Sequence, residues 1–281
     1  MTGTMRLMRL TDLTFRRFLE HDGWAIASHI ALSALMSLFP FLILVAAVAG
    51  SLGSGDLADE VARLILDTWP DGVAAPLARE IHTVLTVERR DLLTLGALLA
   101  VYFCSNGVES LRIGLNRAYQ VYDWRPWWLT RLESVGYVLN GVLVLMVFAA
   151  LVVLGPLLWR AAVGFIPALA PLQAVIVAAR FIIATAVIAV ALAIAHLWLP
   201  GGRRTLAGVL PGIIATLVLW LVGGAAFGLY LDGFARNYVT TYAGLASGMV
   251  TLVFLYMLAA IFLFGGELNA AILDLKEQNS A

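Results

Sequence analysis

Four histidines, His21, His29, His82 and His196, and one cysteine, Cys104, are the soft metal-ligating side chains available in 281 residues. No histidine has a second histidine or an acidic residue at ligand spacing along one helix, so no zinc site of the H-E-x-x-H kind is written here. Cys104 has no partner for a disulfide. Ser247-Gly248 after Leu245-Ala246 has the outline of a nucleophile turn, but no histidine falls at a matching depth, and small residues packing helices account for it better. We therefore expect no catalytic residues, no metal and no cofactor, and read the chain as other than an enzyme. The chemistry left is that of polar groups inside apolar stretches, where a charge costs at least about 2.5–3.5 kcal/mol on insertion scales. Arg180 is one, and Asp232 its candidate partner; the alternative is an arginine that snorkels to the headgroups. A second group collects at one depth: Asn106, Glu109, Arg112, Asn116 and Arg117, then His196, then Glu267 and Asn269. Glu109 and Arg112 stand at i, i+3 and can neutralise each other. The group is either a lock of interfacial hydrogen bonds or a polar vestibule for an anionic head group or coupling ion. Pro40 and Pro211 are candidate helix breaks; Pro211 falls near a helix start, where proline is tolerated.

The elements that must hold these residues follow from composition. Apolar residues make up 62% of the chain and charged residues 13%, with a mean hydropathy of +0.92, which excludes a soluble domain. Eighteen basic and 18 acidic residues cancel, so no basic face is offered to nucleic acid. Seven stretches lack Asp, Glu, Lys and Arg: Gly23 to Gly55, Leu92 to Val108, Ser134 to Trp159, Ala161 to Ala179, Phe181 to Gly202, Thr205 to Leu231 and Asn237 to Gly266. Pro167 and Pro171 turn the fourth into a lead for the fifth, giving one span from about Leu172 to Leu199 and six spans in all. The expected fold class is all-α, a polytopic integral membrane protein with six transmembrane helices and an amphipathic helical hairpin after the first.

Three parts are expected: residues 1–23 as an N-terminal cytoplasmic interfacial helix, 24–273 as the six-helix membrane domain and 274–281 as a cytoplasmic tail. Within the membrane domain, residues 54–91 form the outer amphipathic hairpin, because Leu57, Val61, Leu64 and Ile65, then Leu77, Ile81, Val84 and Leu85, repeat at helical spacing around Trp69-Pro70-Asp71-Gly72. It is a surface helix pair or a lid. Eleven of the 18 basic residues fall on the side of both termini and seven on the other, which places the termini in the cytoplasm. GxxxG spacings at Gly208 and Gly212, Gly224 and Gly228, and Gly244 and Gly248 suit helix packing or a homo-oligomer. Expected partners are membrane lipids and another copy of the chain, and no nucleic acid.

Asp22-Gly23-Trp24 leading into Ala31-Leu32-Ser33-Ala34-Leu35-Met36-Ser37-Leu38-Phe39-Pro40, then Leu115-Asn116-Arg117-Ala118-Tyr119, Leu199-Pro200, Pro211-Gly212, Thr241-Tyr242 and Gly266-Glu267-Leu268-Asn269-Ala270 carry a resemblance. In this order the sequence resembles the YihY/virulence factor BrkB family of bacterial inner-membrane proteins, over nearly its whole length. It departs at His29-Ile30, where many members have an aromatic residue, and at Tyr242-Ala243-Gly244, where Tyr-Gly is usual. The resemblance implies six helices in the inner (plasma) membrane with cytoplasmic termini. It supplies no substrate: the family's former label, ribonuclease BN, is regarded as mistaken, and members are linked to virulence. The absence from the sequence of a metal-ligand motif or basic groove argues against a nuclease as well. Two functions fit, a transporter or lipid-handling protein for an amphipathic or anionic substrate, and a non-transporting envelope scaffold acting through helix packing.

Overall fold

The computed structural model describes residues 3–51, 90–149, 155–242 and 244–278, and among them all regular structure is helical. The order is α1 (Gly3–Glu20), α2 (Gly23–Ser51), α3 (Arg90–Ala118), α4 (Trp127–Ala149), α5 (Gly155–Phe165), a 3-10 turn (Pro167–Leu172), α6 (Gln173–Trp198), α7 (Leu206–Tyr242) and α8 (Gly244–Gln278). The expected hairpin at 54–91 falls almost wholly outside the described residues.

Local chemistry sets the breaks. Asp22 takes the left-handed conformation (φ 57) to turn the chain from α1 into α2, as aspartate tolerates better than most residues. Pro167 and Pro171 confine the lead into α6 to 3-10 turns. Gly202, at φ 82, turns the chain between α6 and α7.

Among the described residues three helices are long and apolar enough to cross a membrane, within Gln173–Trp198, Leu206–Leu231 and Gly248–Lys276; Gly23–Leu38 forms a shorter apolar stretch. Two expected boundaries change: α7 continues through Asp232 and Arg236 to Tyr242, and α8 runs from Gly244 to Gln278, past the last residue of its charge-free stretch, Gly266. Within the run Ser134 to Trp159, residues 150–154 between α4 and α5 lie outside the described residues. Charge-free runs measure apolar depth, whereas intrahelical backbone hydrogen bonds do not depend on side-chain polarity and continue through charged residues. At the candidate helix breaks, α2 continues through Pro40 and α7 through Pro211. One proline removes a single intrahelical bond, which a long helix tolerates.

The end of α1, the start of α2, the ends of α3 and α6, the starts of α4 and α7 and the last third of α8 meet at one end of the bundle, here called the polar end. The buried apolar core lies there as well, with Phe18, Ile30, Leu115, Leu199, Val209 and Phe262 among its members. Away from it the helices present apolar side chains outward: Val175, Phe181 and Ile182 on α6 and Leu221, Val222 and Leu229 on α7 are exposed. Only 11% of the apolar stretch of α6 is buried among the described residues, so a hydrocarbon solvent suits its surface and water does not.

Candidate functional site: a buried polar network at the helix ends

Thr14, Arg17 and Phe18 fall at i, i+3 and i+4 on α1 and are all buried, so this face docks on the bundle. Arg17 pairs with Asp274 of α8 and points a second nitrogen at the carbonyl of Ala118, 3.5 Å away. Glu267, only 3% exposed, shares a 2.6 Å hydrogen bond with His21 Nδ1 and has Arg17 Nε 3.5 Å from its other oxygen. Nearby on the surface, Arg117 meets Asp22 at 3.0 Å.

A second cluster forms around Arg112, which is 1% exposed. Its guanidinium donates to Glu109 at 2.7 Å, to the Thr130 carbonyl at 2.8 Å, to Glu133 at 3.3 Å and to the Leu199 carbonyl at 3.2 Å. Arg125 donates to the same Leu199 carbonyl at 2.8 Å and to Glu133 at 2.7 Å. These bonds join α3, α4, the 119–126 loop and the end of α6. The hydrogen bond from Arg125 holds the Asp123 carboxyl below the usual carboxylate range and, in return, raises the Arg125 guanidinium.

Between the clusters runs a chain of neutral groups. The Gly212 N–H donates to Asn269 Oδ1 at 2.6 Å, which turns the amide nitrogen of Asn269 toward the Tyr119 hydroxyl, 3.2 Å away. Tyr119 then has its proton free for His196 Nδ1 at 3.0 Å, and this order assigns the His196 proton to Nε2. His196 Nε2 is buried without a hydrogen-bond partner among the described residues, as is Thr216 Oγ1. Burial pushes the Tyr119 hydroxyl up to about 12. Arg204 lies 4.0 Å over the Tyr119 ring and donates to the Gly201 carbonyl at 2.9 Å. Glycine is required where α7 crosses α8: a Cβ on Gly212 would overlap the Gly265 carbonyl and the Asn269 amide, and one on Gly265 would overlap Thr216.

Beside this network an open hollow of about 520 Å³ is bordered by Tyr122, Trp124, Trp198, Gly201 and Gly202, with Asp123 and Arg125 on its polar side. The Gly201 N–H is held by Asn116 Oδ1 at 2.8 Å, and a Cβ on Gly201 would come within 3.2 Å of the Tyr122 carbonyl.

Glu109, Arg112, Asn116, His196, Glu267 and Asn269, singled out from sequence, thus lie together at the polar end. Arg180 lies elsewhere, with its guanidinium 5.4 Å from the Phe181 ring, and the side chain of its expected partner Asp232 lies outside the described residues. Sequence reasoning passed over Arg17, His21, Asp274, Asp123, Arg125, Glu133 and Arg204. Arg17 had a usable signal, a basic residue on the face of α1 that also carries Phe18. Among the described residues no group of three or more His, Cys, Asp or Glu is placed to hold a metal ion.

The family profile described as Virulence factor BrkB matches residues 14–281. The chain is 27% identical to a ribonuclease-like protein, YfkH, of Bacillus subtilis over 92% of its own length and 93% of that protein's. It is also 27% identical to a UPF0761 membrane protein of Rhodospirillum centenum, over 91% of its own length and 55% of the relative's. No solved structure matches. With a profile match running from α1 through α8, the helices that build the polar network, the chain belongs to the Virulence factor BrkB family.

Proposed function

We propose that this membrane protein is a transporter or lipid-handling protein for an amphipathic or anionic substrate, with six helices crossing the bacterial inner membrane and both termini in the cytoplasm. The observation that carries the reading is the division of the bundle: charged and polar side chains bind the helices together at one end, while α6 and α7 expose apolar side chains along the remainder. Helices joined at one end and loosely packed beyond it can separate laterally, which admits the tails of an amphipathic molecule while its polar part stays near the joined end. No catalytic role is assigned to the network, whose carboxylates Glu109, Glu133, Glu267, Asp123 and Asp274 are each bonded to a basic side chain.

Reconstitution into liposomes with a fluorescent phospholipid tests the reading. The expected result is faster loss of inner-leaflet fluorescence protection than in protein-free liposomes, and equal rates would overturn it. Cysteines introduced at Asp71 and Asn279 in a Cys104→Ser background test the orientation; labelling of Asn279→Cys and not Asp71→Cys by an impermeant external reagent would reverse it.

A second reading, a scaffold that self-associates, is favoured by Gly224, Gly228 and Gly248, where an added Cβ meets nothing within 4 Å. Cross-linking in native membranes separates the two: a discrete dimer lost in Gly224→Leu, without lipid movement, supports the scaffold.

A further inference from the structure

Five of the chain's eight tryptophans, Trp24, Trp124, Trp127, Trp128 and Trp198, gather at the polar end, and all five are exposed, as is Tyr122. Trp24 is the second residue of α2, Trp127 and Trp128 open α4, and Trp198 closes α6. Tyr122 and Trp124 lie on the 119–126 loop and border the same hollow as Trp198, which fixes them at its level. Exposure reaches 86% at Trp124 and 79% at Trp127. Water is a poor solvent for such a surface, since each ring offers about 150–250 Å² for burial.

Two observations point to lipid as what covers it. The first is continuity with the surface that faces hydrocarbon. On α4, Trp128 shares one stripe with Leu132, Leu139 and Leu143, at i, i+4, i+11 and i+15, and all four are exposed. On α6, Trp198 terminates a helix that presents Phe181, Ile182 and Val190 outward and is almost unburied along its apolar stretch. The second is distribution. The exposed rings come from α2, the loop, α4 and α6 alike, each at the level where an apolar helix meets the buried ion pairs, whereas a protein partner would call for one contiguous face. Tryptophan and tyrosine, with an apolar body and one polar hydrogen, are the side chains that the boundary between headgroups and acyl chains favours.

We propose that these aromatic side chains seat the polar end in the headgroup layer of one leaflet, the cytoplasmic one in the orientation proposed above, with ring faces against the upper acyl chains and their polar hydrogens toward the headgroup oxygens. The ion pairs of Arg112 and Glu267 then lie at headgroup depth, and the 119–126 loop rests on the bilayer where a loop of this kind would otherwise stand in water. The proposal requires a membrane protein and is independent of whether lipid is moved.

The test places a nitroxide label on the full chain at Trp124→Cys or Trp127→Cys in a Cys104→Ser background, reconstituted into vesicles of phosphatidylethanolamine and phosphatidylglycerol. Accessibility is read to oxygen, which concentrates in hydrocarbon, and to a nickel chelate, which concentrates in water and is present on both sides of the vesicle. Ile182→Cys, at an exposed position in the middle third of α6, gives the hydrocarbon reference, and the same label free in buffer gives the aqueous one. Both loop-side labels are expected to lose most of the nickel accessibility of the free label while showing less oxygen accessibility than Ile182→Cys. An unchanged melting temperature shows that each labelled chain is folded, and Tyr122→Cys replaces either variant that is not. Nickel accessibility equal to that of the free label overturns the proposal, because the rings then face water. Protection from both reagents overturns lipid as the occupant in favour of a protein surface or a second copy of the chain. Oxygen accessibility matching that of Ile182→Cys overturns the assigned depth.

Discussion

The polar end and the opposite half of the bundle are made from the same helices and held by different forces. At the polar end Arg112, Glu267, His196 and Asn269 are buried and bonded across at least four helices. In the opposite half, α6 has only Ala184, Leu192 and His196 buried along its entire length, and two of these lie in its last seven residues. Hydrocarbon competes well for apolar side chains, so apolar contact alone does little to hold helices together in a membrane. Directional bonds between buried charges do more, because leaving them is costly.

The comparison breaks most decisively at Arg112. Arg112→Met removes the buried donor shared by Glu109, Glu133 and the Thr130 and Leu199 carbonyls, and is expected to cost about 3–5 kcal/mol in detergent unfolding, against under about 1 kcal/mol for Arg180→Met. Equal losses would mean that the two halves are held alike. Glu267→Ala is expected to cost about 2–3 kcal/mol by removing the acceptor of His21, whereas Glu20→Ala, at an exposed position, should leave the melting temperature unchanged.

Glycine substitution sharpens the contrast on a single helix. Gly212→Ala, at the crowded crossing, should cost about 1–3 kcal/mol. Gly224→Ala, facing open space, should change stability by less than about 1 kcal/mol and in the favourable direction, through helix propensity. A smaller effect is expected with acid. Since the folded Asp123 carboxyl titrates below its unfolded value, its contribution is complete above the ordinary carboxylate range and is lost as pH falls below about 4 toward the folded value. A melting temperature that falls over this range in the wild-type chain should fall less in Asp123→Asn.

Much of the architecture was legible because apolar runs and prolines act locally. The turn at Pro167 and Pro171 and the extent of α6 follow from residues within a few positions, and the Glu109–Arg112 contact follows from helical spacing. Helix ends were less legible, since α7 and α8 extend through charged residues that a hydropathy reading treats as boundaries. The pairings were least legible. Arg17 with Asp274 and Arg112 with Glu133 join residues outside the apolar runs, where a charged side chain ordinarily stays in water, and no local pattern identifies the partner.

The contacts between α1 and α8 bear on biosynthesis. His21 and Glu267 are 246 positions apart, and Arg17 and Asp274 are 257 apart. During synthesis α1 emerges early and waits, with Arg17 unpaired, while the intervening helices enter the membrane. Glu267 arrives late and needs His21 and Arg17 already at hand. The joining of first helix to last can therefore form only once α8 has been made, and a chain interrupted before α8 lacks the carboxylate partners of His21 and Arg17.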